Sequence, residues 1–296
     1  MRSARIGNAL FLLAILCATV AGSAGAQSAP QIRVQSGFVP VSGSKLYYEA
    51  AGLGLPVVLV HGGQMDSRMW DEQFALFSKH YRVIRYDVRG FGKSPASTNV
   101  YADEDDLAAL LKFLHADKAV IIGLSLGGRI AIDFALTYPE MTYAIIPVAP
   151  GLSGFNFSSD PTFMESWRAA QAGDWDKVTD LWLQSGYMTP AMKNPKIALH
   201  LRQLARENAH ENLDNYLLEK VLYPPAIGRL REIKSPVLVI VGNLDVPDIQ
   251  EISGLLRARI PRVKEIVIEN SGHIVNMEQP EQFNRAVLDF LDSFPQ

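Results

Sequence analysis

The chain contains 296 residues, of which 48% are hydrophobic and 20% are charged, and its formal net charge is −3. A chain of this length can bury a sizeable core, so it needs neither disulfides nor metal ions to fold. Its charge balance excludes a disordered polyelectrolyte and a basic nucleic-acid binder, and its single cysteine excludes an internal disulfide and CxxC redox chemistry. A compact enzyme or binding protein remains.

The N-terminus has the organisation of a secretory signal. Arg2 and Arg5 precede an apolar run over residues 9–20, and small residues follow it. The run has 12 residues, whereas a membrane-spanning helix needs about 20. We therefore predict a signal peptide over residues 1–26, an exported protein that is periplasmic or secreted, and no stable membrane insertion. An uncleaved membrane anchor is the alternative interpretation.

Cleavage of this segment would change the composition of the working protein. It would remove Cys17, two arginines and no acidic residue, which takes the formal net charge from −3 to −5. A mildly acidic chain without cysteine has no special attraction for polyanions. We therefore expect no nucleic-acid partner.

From Ile32 onward, short apolar runs alternate with stretches of helical period. This alternation predicts an α/β fold with a mostly parallel sheet of the eight-stranded type and helices on both faces. The run Val57–Val60 is apolar at every position, which is typical of a strand covered on both faces. The predicted strands are Lys45–Ala50, Pro56–Val60, Tyr81–Tyr86, Lys118–Ile122, Ala144–Val148, Val237–Val241 and Lys264–Ile268.

The helix predicted over Tyr101–Leu114 begins with the acidic run Asp103–Asp106. Carboxylates in a first helical turn are explained by their interaction with the helix dipole. A metal site is the alternative, and it is disfavoured because no second group of ligands is near in the sequence. We expect neither a metal nor a cofactor.

The alternation is interrupted between Pro150 and Ile233, where helical patterns dominate. We predict a helical cap over residues 151–225, inserted after the sixth strand of an α/β core formed by residues 27–150 and 226–296. In open α/β sheets, ligands bind at the carboxyl edge of the strands, so the cap should cover that edge. The predicted cap helices are Pro161–Gln171, Trp175–Gln184, Pro195–Ala209 and Leu213–Leu222.

A candidate nucleophile lies between a predicted strand and a predicted helix. The segment Gly123-Leu124-Ser125-Leu126-Gly127-Gly128 follows the strand Lys118–Ile122 and precedes the helix Arg129–Tyr138. In that context a G-x-S-x-G pattern is typical of a nucleophile elbow, a tight strained turn that exposes the serine. A phosphate-binding loop would require a lysine in the loop or a G-x-G-x-x-G pattern, and the segment has neither. We predict Ser125 as the nucleophile.

A serine hydroxyl reacts only when a base takes its proton and a third group orients that base. His273 follows the last predicted strand in a loop of small residues, and Asp245 follows the strand before it. Asp248 competes with Asp245, but Pro247 places it in the first turn of a helix. We predict His273 as the base and Asp245 as its orienting acid.

Acyl transfer also needs donors for the developing oxyanion. We predict the backbone N–H groups of Leu126, directly after the nucleophile, and of Gly63, in the loop after Pro56–Val60, with Gln64 as the alternative to Gly63. His61 in the same loop is interpreted as a residue that stabilises the loop.

These motifs make the chain resemble the α/β-hydrolase fold superfamily, in its capped single-domain branch, from about residue 37 to the C-terminus. The order Ser125, Asp245, His273 is the order that this arrangement requires. The resemblance implies that Arg89 belongs to a structural loop, and a serine at position 125 argues against epoxide hydrolases and dehalogenases, which carry aspartate there. The resemblance is carried by His61–Gly63, Tyr86–Ser94, the elbow around Ser125, Gly242–Asp245, Gly272-His273 and Glu278–Glu281.

Within the serine branch, the chain resembles carboxylesterases, enol-lactonases and carbon–carbon bond hydrolases alike. Gln64-Met65-Asp66 replaces the Gly-Pro-Gly that carbon–carbon hydrolases often show, and Leu126 replaces a frequent methionine. The resemblance therefore implies a serine hydrolase for a small carboxylic ester or lactone, and the predicted signal peptide makes it an exported one. A hydrolase of β-diketone or meta-cleavage type and a ligand-binding protein on a hydrolase scaffold are the alternatives. Candidate pocket residues, each equally explained by helix packing, are Trp70, Phe155, Trp167, Trp182, Tyr187 and Met188.

Overall fold

The computed structural model describes residues 33–158, 161–209 and 217–294. The predicted signal peptide, residues 1–26, lies outside the described residues, as do the first four residues of the predicted helix Leu213–Leu222. Within the described ranges, no helix is both long and apolar enough to cross a membrane.

An eight-stranded sheet forms the centre of the fold. The strands are β1 (Gln35–Val41), β2 (Ser44–Ala51), β3 (Pro56–Val60), β4 (Arg82–Tyr86), β5 (Ala119–Leu124), β6 (Thr142–Val148), β7 (Val237–Gly242) and β8 (Val263–Ile268). Their order in the sheet is β1-β2-β4-β3-β5-β6-β7-β8. Strand β2 is antiparallel to both of its neighbours, and all the other neighbouring pairs are parallel. The predicted α/β class with a mostly parallel sheet is confirmed.

The apolar content of each strand explains which strands the sequence pattern revealed. Every residue of β5 and β7 is buried, as expected for central strands with both faces covered. Strand β1 was not predicted, because Gly37 and Pro40, which are residue types depleted in strands, divide its apolar residues.

Helices cover the sheet and form the segment between β6 and β7. The helices are α1 (Asp71–Phe77), α2 (Asp103–Phe113), α3 (Leu126–Thr137), α4 (Pro161–Gln171), α5 (Trp175–Gln184), α6 (Pro195–Asn208), α7 (Pro247–Arg259), α8 (Val275–Glu278) and α9 (Pro280–Asp292). Helices α4 to α6 follow the sixth strand, as predicted, whereas the domain bounds 151–225 stay a prediction. Short 3-10 turns span Ser67–Trp70, Ala191–Lys193, Ala226–Gly228 and Leu230–Glu232.

The predicted site residues all follow the carboxyl ends of parallel strands. Gly63 follows β3, Ser125 follows β5, Asp245 follows β7 and His273 follows β8. Because parallel strands end at the same edge of a sheet, this topology brings four loops that are distant in sequence to one edge.

Candidate active site

Ser125 occupies a strained turn between β5 and α3. Its φ of 56° and ψ of −109° are rare for a residue with a side chain. Its N–H donates to the carbonyl of Val148 (2.9 Å), and its own carbonyl accepts from the N–H groups of Arg129 (3.0 Å) and Gly151 (2.9 Å). These three bonds from neighbouring elements hold the backbone in the strained conformation.

The glycines of the elbow are required by close approach of the backbone. A Cβ at Gly123 would collide with the carbonyl of Gly127, and a Cβ at Gly127 would collide with the carbonyls of Val60 and His61. A residue with a side chain at either position would force the start of helix α3 away from β3 and β5.

His273 and Asp245 are hydrogen-bonded to each other. Nδ1 of His273 lies 2.9 Å from Oδ2 of Asp245 and 3.2 Å from Oδ1. The N–H of Val246 donates to Oδ1 of Asp245 at 2.8 Å, which fixes the carboxylate. The rings of Tyr187 and His273 pack in a T-shaped arrangement, with ring centroids 4.9 Å apart. A proton on Nδ1 leaves the lone pair of Nε2 free to act as a base.

Asp248, the competing acid, is engaged elsewhere. It lies in the first turn of α7, and its carboxylate accepts from the N–H (2.8 Å) and the hydroxyl (2.7 Å) of Ser158. It therefore ties the segment after β6 to α7, and Asp245 is the acid that meets His273.

Glu278 holds both sides of the His273 loop, a role that the sequence analysis did not identify. Its two carboxylate oxygens accept from the N–H groups of Gly272 (2.9 Å) and Ile274 (3.0 Å). Burial raises the pKa of Glu278, while these two amides lower it. The only sequence signal was the acidic residue after Gly272-His273, which carried no role by itself.

The two predicted oxyanion donors lie at the same cavity as Ser125. Gly63, Leu126, Ser125 and His273 all line it. A Cβ at Gly63 would meet no atom within 4 Å, as expected where the backbone faces open space. The adjacent N–H of Gly62 instead points at Sδ of Met69, 3.3 Å away.

His61 stabilises the loop after β3 through both of its ring nitrogens. Nε2 accepts from the N–H of Val88 at 2.8 Å, and Nδ1 lies 2.8 Å from the carbonyl of Gly62. Burial lowers the pKa of His61, and the bond from Val88 requires a lone pair on Nε2, as a neutral imidazole has. With both nitrogens occupied, it has no lone pair to offer a substrate.

The cavity has a volume of about 990 Å³ and an aromatic wall contributed by the helical segment. Four of the six candidate pocket residues reach this cavity. They are Trp167, Trp182, Tyr187 and Met188.

The other two candidates pack against neighbouring aromatic rings. Trp70 is fully buried against Phe283, and Phe155 packs on Phe157. Helix packing is therefore the correct interpretation for Trp70, whose partner lies on α9, whereas Phe155 packs within the loop after β6.

A charged group on another part of the cavity wall was not anticipated. Arg129, on α3, contacts Asp103 (2.8 Å), Glu219 (2.6 Å) and Asp133 (3.5 Å). Burial raises the pKa of Asp103, and the nearby carboxylate of Glu219 raises it further. We call these four residues the Arg129 cluster. No local sequence signal identifies it, because its members come from three separate segments.

Glu219 reaches this cluster because its backbone pairs with Tyr101. The N–H of Tyr101 donates to the carbonyl of Leu218 (3.2 Å), and the N–H of Lys220 donates to the carbonyl of Tyr101 (2.7 Å). The predicted helix Leu213–Leu222 is therefore wrong at its C-terminal end, because a β-bridge replaces the helix at Glu219.

The acidic start of α2 pairs with arginines. Asp106 forms a two-pronged ion pair with the buried Arg89 (2.6 and 2.7 Å), and Asp103 meets Arg129. Over residues 33–158, 161–209 and 217–294, no three His, Cys, Asp or Glu side chains form a group suited to a metal ion.

The sheet order and the strained serine turn after β5 define the class of α/β-hydrolase folds. The sequence matches the profile described as the alpha/beta hydrolase family over residues 57–286. This match covers more than half of the chain, and the protein belongs to this family.

Individual relatives differ in the bond that their names imply. The chain is 29% identical to 2-hydroxy-6-oxo-6-phenylhexa-2,4-dienoate hydrolase of Burkholderia cepacia, over 85% of this chain and 92% of the relative. It is 28% identical to a Bacillus subtilis protein named "uncharacterized carboxylesterase nap", over 80% and 79% of the two chains. A thermophilic esterase from Thermogutta terrifontis superimposes with a TM-score of 0.69 at 27% identity, covering 87% of this chain and 98% of that one.

Proposed function

We propose that the protein is a serine hydrolase that cleaves a small carboxylic ester or lactone through an acyl-enzyme. Ser125 is the nucleophile, His273 the base and Asp245 its orienting acid. The backbone N–H groups of Gly63 and Leu126 stabilise the oxyanion. One observation carries the proposal: the His273–Asp245 pair, joined at 2.9 Å, lies at the cavity that the strained Ser125 also lines.

The mechanism follows from the donors and acceptors of these side chains. His273 holds its Nδ1 proton toward Asp245, so Nε2 takes the proton of Ser125 as the hydroxyl attacks the carbonyl carbon. The tetrahedral oxyanion receives the two backbone N–H groups. His273 then returns the proton to the leaving alkoxide, and a water molecule, activated by the same base, hydrolyses the acyl-enzyme.

The comparisons support a hydrolase and leave its bond type as our proposal. The names of the Bacillus subtilis and Thermogutta terrifontis proteins favour ester cleavage. The name of the Burkholderia cepacia relative favours the second candidate, hydrolysis of a carbon–carbon bond in a β-diketone or meta-cleavage type of substrate.

A substrate panel with an active-site variant tests the proposal. Wild-type protein should release para-nitrophenol from a para-nitrophenyl ester, and Ser125→Ala should abolish this release. Parallel assays with a lactone and a β-diketone compare the two bond types. Equal turnover by Ser125→Ala and wild type would overturn the mechanism, and faster cleavage of the β-diketone would favour the second candidate.

A serine-reactive phosphonate separates an enzyme from a ligand-binding protein on the same scaffold. The proposed mechanism predicts stoichiometric labelling at Ser125, because only an activated hydroxyl attacks phosphorus. The exposed Ser36, on the edge strand β1, is the internal control, and we expect it to stay unlabelled. Absence of labelling at Ser125 would favour the ligand-binding protein.

We also propose that the protein is exported to the periplasm or secreted. The support for this proposal is the sequence pattern of Arg2, Arg5 and the apolar run 9–20. Retention of the N-terminus as an anchor is the competing outcome.

A further inference from the structure

Asn208 joins the helical segment between β6 and β7 to two loops of the α/β core. It is the last residue of α6, and it is fully buried. Its Oδ1 accepts from the N–H of Gly92 (2.7 Å), and its Nδ2 donates to Oδ2 of Asp66 (2.9 Å). Nδ2 also donates to the carbonyl of Leu204 (2.8 Å), which fixes the amide against its own helix. One buried side chain therefore connects α6 to the loops after β3 and β4.

The partners of this amide permit only one orientation of it. The N–H of Gly92 can only donate, so it faces Oδ1. Burial raises the pKa of Asp66, but the hydrogen bonds from Arg68 and Asn208 outweigh burial and lower this pKa to about 2. The ionised carboxylate can only accept, so it faces Nδ2. Asparagine meets both requirements because it carries an acceptor and a donor side by side.

Asp66 connects Asn208 to the loop that carries the proposed oxyanion donor. It lies three positions after Gly63. Its side chain caps the 3-10 turn Ser67–Trp70 by accepting an N–H of that turn. Within the same turn, Sδ of Met69 accepts from the N–H of Gly62, directly before the donor, at 3.3 Å. The position of Asp66 therefore bears on Gly63 both along the chain and through this turn.

Asp87 holds the same loops without the helical segment. Its Oδ1 accepts from the N–H of Ser67 (2.9 Å), and its Oδ2 accepts from the N–H of Lys93 (2.9 Å). Both bonds stay in place when the Asn208 amide is removed. We therefore expect a displaced loop, and not an unfolded protein, when Asn208 is replaced.

We propose that Asn208 is a positioning residue that fixes the proposed oxyanion donor Gly63 to the helical segment. This inference rests on the proposed function, in which the N–H of Gly63 stabilises the oxyanion. Among the described residues, Gly63 lines the cavity whereas Asn208 does not, so Asn208 acts without touching the substrate. A displaced oxyanion donor weakens binding of the transition state more than binding of the substrate.

Two variants at this position test the role. Asn208→Ala removes all the bonds of the amide, and Asn208→Asp keeps its volume but sets a second carboxylate against Asp66. In both, we expect kcat for a para-nitrophenyl ester to fall at least about tenfold, with KM within about twofold of wild type. Rates are expressed per active site titrated with a serine-reactive phosphonate, so a smaller fraction of folded protein cannot imitate the effect.

A variant elsewhere on α6 is the matched control. Arg202 pairs with Asp180 on α5 at 2.7 Å, an exposed contact within the helical segment. Arg202→Gln should keep kcat per active site within about twofold of wild type, because an exposed ion pair contributes little to the packing of α6. Wild-type kcat per active site in both Asn208 variants would overturn the inference.

A transition-state analogue shows whether the oxyanion site is the part that changes. In an aryl trifluoromethyl ketone, Oγ of Ser125 bonds to the carbonyl carbon, the hydroxyl proton passes to His273, and the carbonyl oxygen becomes the oxyanion. We expect its inhibition constant to rise at least about tenfold in the Asn208 variants and to stay unchanged in Arg202→Gln. Equal inhibition constants in wild type and both Asn208 variants would overturn the positioning role.

Hydrogen exchange keeps this inference separable from the proposed function. In both Asn208 variants, the backbone amides of residues 62–66 should exchange faster than in wild type, and those of the buried strand β5 should not. Faster exchange at residues 62–66, together with absence of turnover by wild type, would contradict the proposed function alone. Turnover by wild type, with unchanged exchange at residues 62–66 in the variants, would contradict the role of Asn208 alone.

Discussion

Nδ1 of His273 lies 2.9 Å from Oδ2 of Asp245, although 28 positions separate the two residues in the sequence. The two residues lie in the loops after β8 and β7, whose parallel pairing brings those loops together. A buried carboxylate at this distance fixes which imidazole nitrogen carries the proton. The pair therefore defines both the orientation and the tautomer of the proposed base.

Replacing this carboxylate tests its role directly. Asp245→Asn should lower kcat for an aryl ester by about 10³ to 10⁴, because an amide no longer stabilises the imidazolium or enforces the tautomer. Steady-state kinetics on folded protein, checked by circular dichroism, give the measurement. Asp248→Asn is the matched control and should retain kcat within about twofold, since Asp248 bonds to Ser158. Similar losses in both variants would contradict the assignment.

Glu278 should act as a positioning residue for His273. In Glu278→Gln, an amide N–H₂ faces one of the two backbone N–H groups that donate to the carboxylate. We expect kcat to fall about tenfold with little change in KM, and the free energy of unfolding to fall by about 1–3 kcal/mol. Glu281→Gln, at an exposed position in the first turn of α9, is the control. Unchanged kcat in Glu278→Gln would show that the loop holds its shape without these two bonds.

Two glycine substitutions should have opposite effects on stability. Gly127→Ala places a Cβ against the carbonyls of Val60 and His61, and we expect it to destabilise the fold by about 3 kcal/mol or more. Gly254→Ala, within α7, places its Cβ in open space and should stabilise by about 0.5–1 kcal/mol. Denaturant unfolding of both variants measures the difference. Equal free energies of unfolding for the two variants would contradict the claim that the backbone of Gly127 lies too close to Val60 and His61 for a Cβ.

Stability should decrease as pH rises because of Glu104. Burial raises the pKa of Glu104 from 4.5 to about 7, and the nearby carboxylates of Asp133 and Asp105 contribute to this rise. The backbone hydrogen bond of Glu104 and the charge of Arg129 act in the opposite direction. Between these two pH values, the folded state keeps a proton that the unfolded chain releases. The contribution of Glu104 to the free energy of unfolding is therefore fully present below about pH 4.5 and is lost as the pH rises to about 7.

The variant Glu104→Gln tests this assignment. Its free energy of unfolding should decrease less than that of wild type between about pH 4.5 and pH 7, by a difference of no more than about 3 kcal/mol. Chemical unfolding at a series of pH values gives the slope. Glu140→Gln, at an exposed turn position, should keep the wild-type slope. A wild-type slope in Glu104→Gln would contradict the assignment.

The N-terminal prediction is tested by intact mass. Protein recovered from the periplasm or the medium should begin near Gln27, because the small residues at 24–26 form the expected cleavage site. The measured mass should lack Cys17. Exported material that retains Met1 would contradict cleavage and favour the anchor.

Local sequence patterns were sufficient for most strands of the sheet. The seven predicted strands match β2 to β8 within a few residues, because each contains a run of apolar residues. The edge strand β1 was missed, since Gly37 and Pro40 divide its apolar residues. The prediction of a helix as far as Leu222 is wrong at Glu219, where backbone pairing with Tyr101 outweighs the local helical preference.

The sequence alone determined the chemical types at the candidate site: a serine between glycines after a buried strand, and an acid and a histidine after two later strands. Only the tertiary structure decided which acid meets His273, that Glu278 holds its loop, and that Arg129 is surrounded by Asp103, Asp133 and Glu219. The physical reason is that strand and turn preferences act over a few neighbouring residues. Side-chain pairing instead depends on how segments that are distant in sequence pack together.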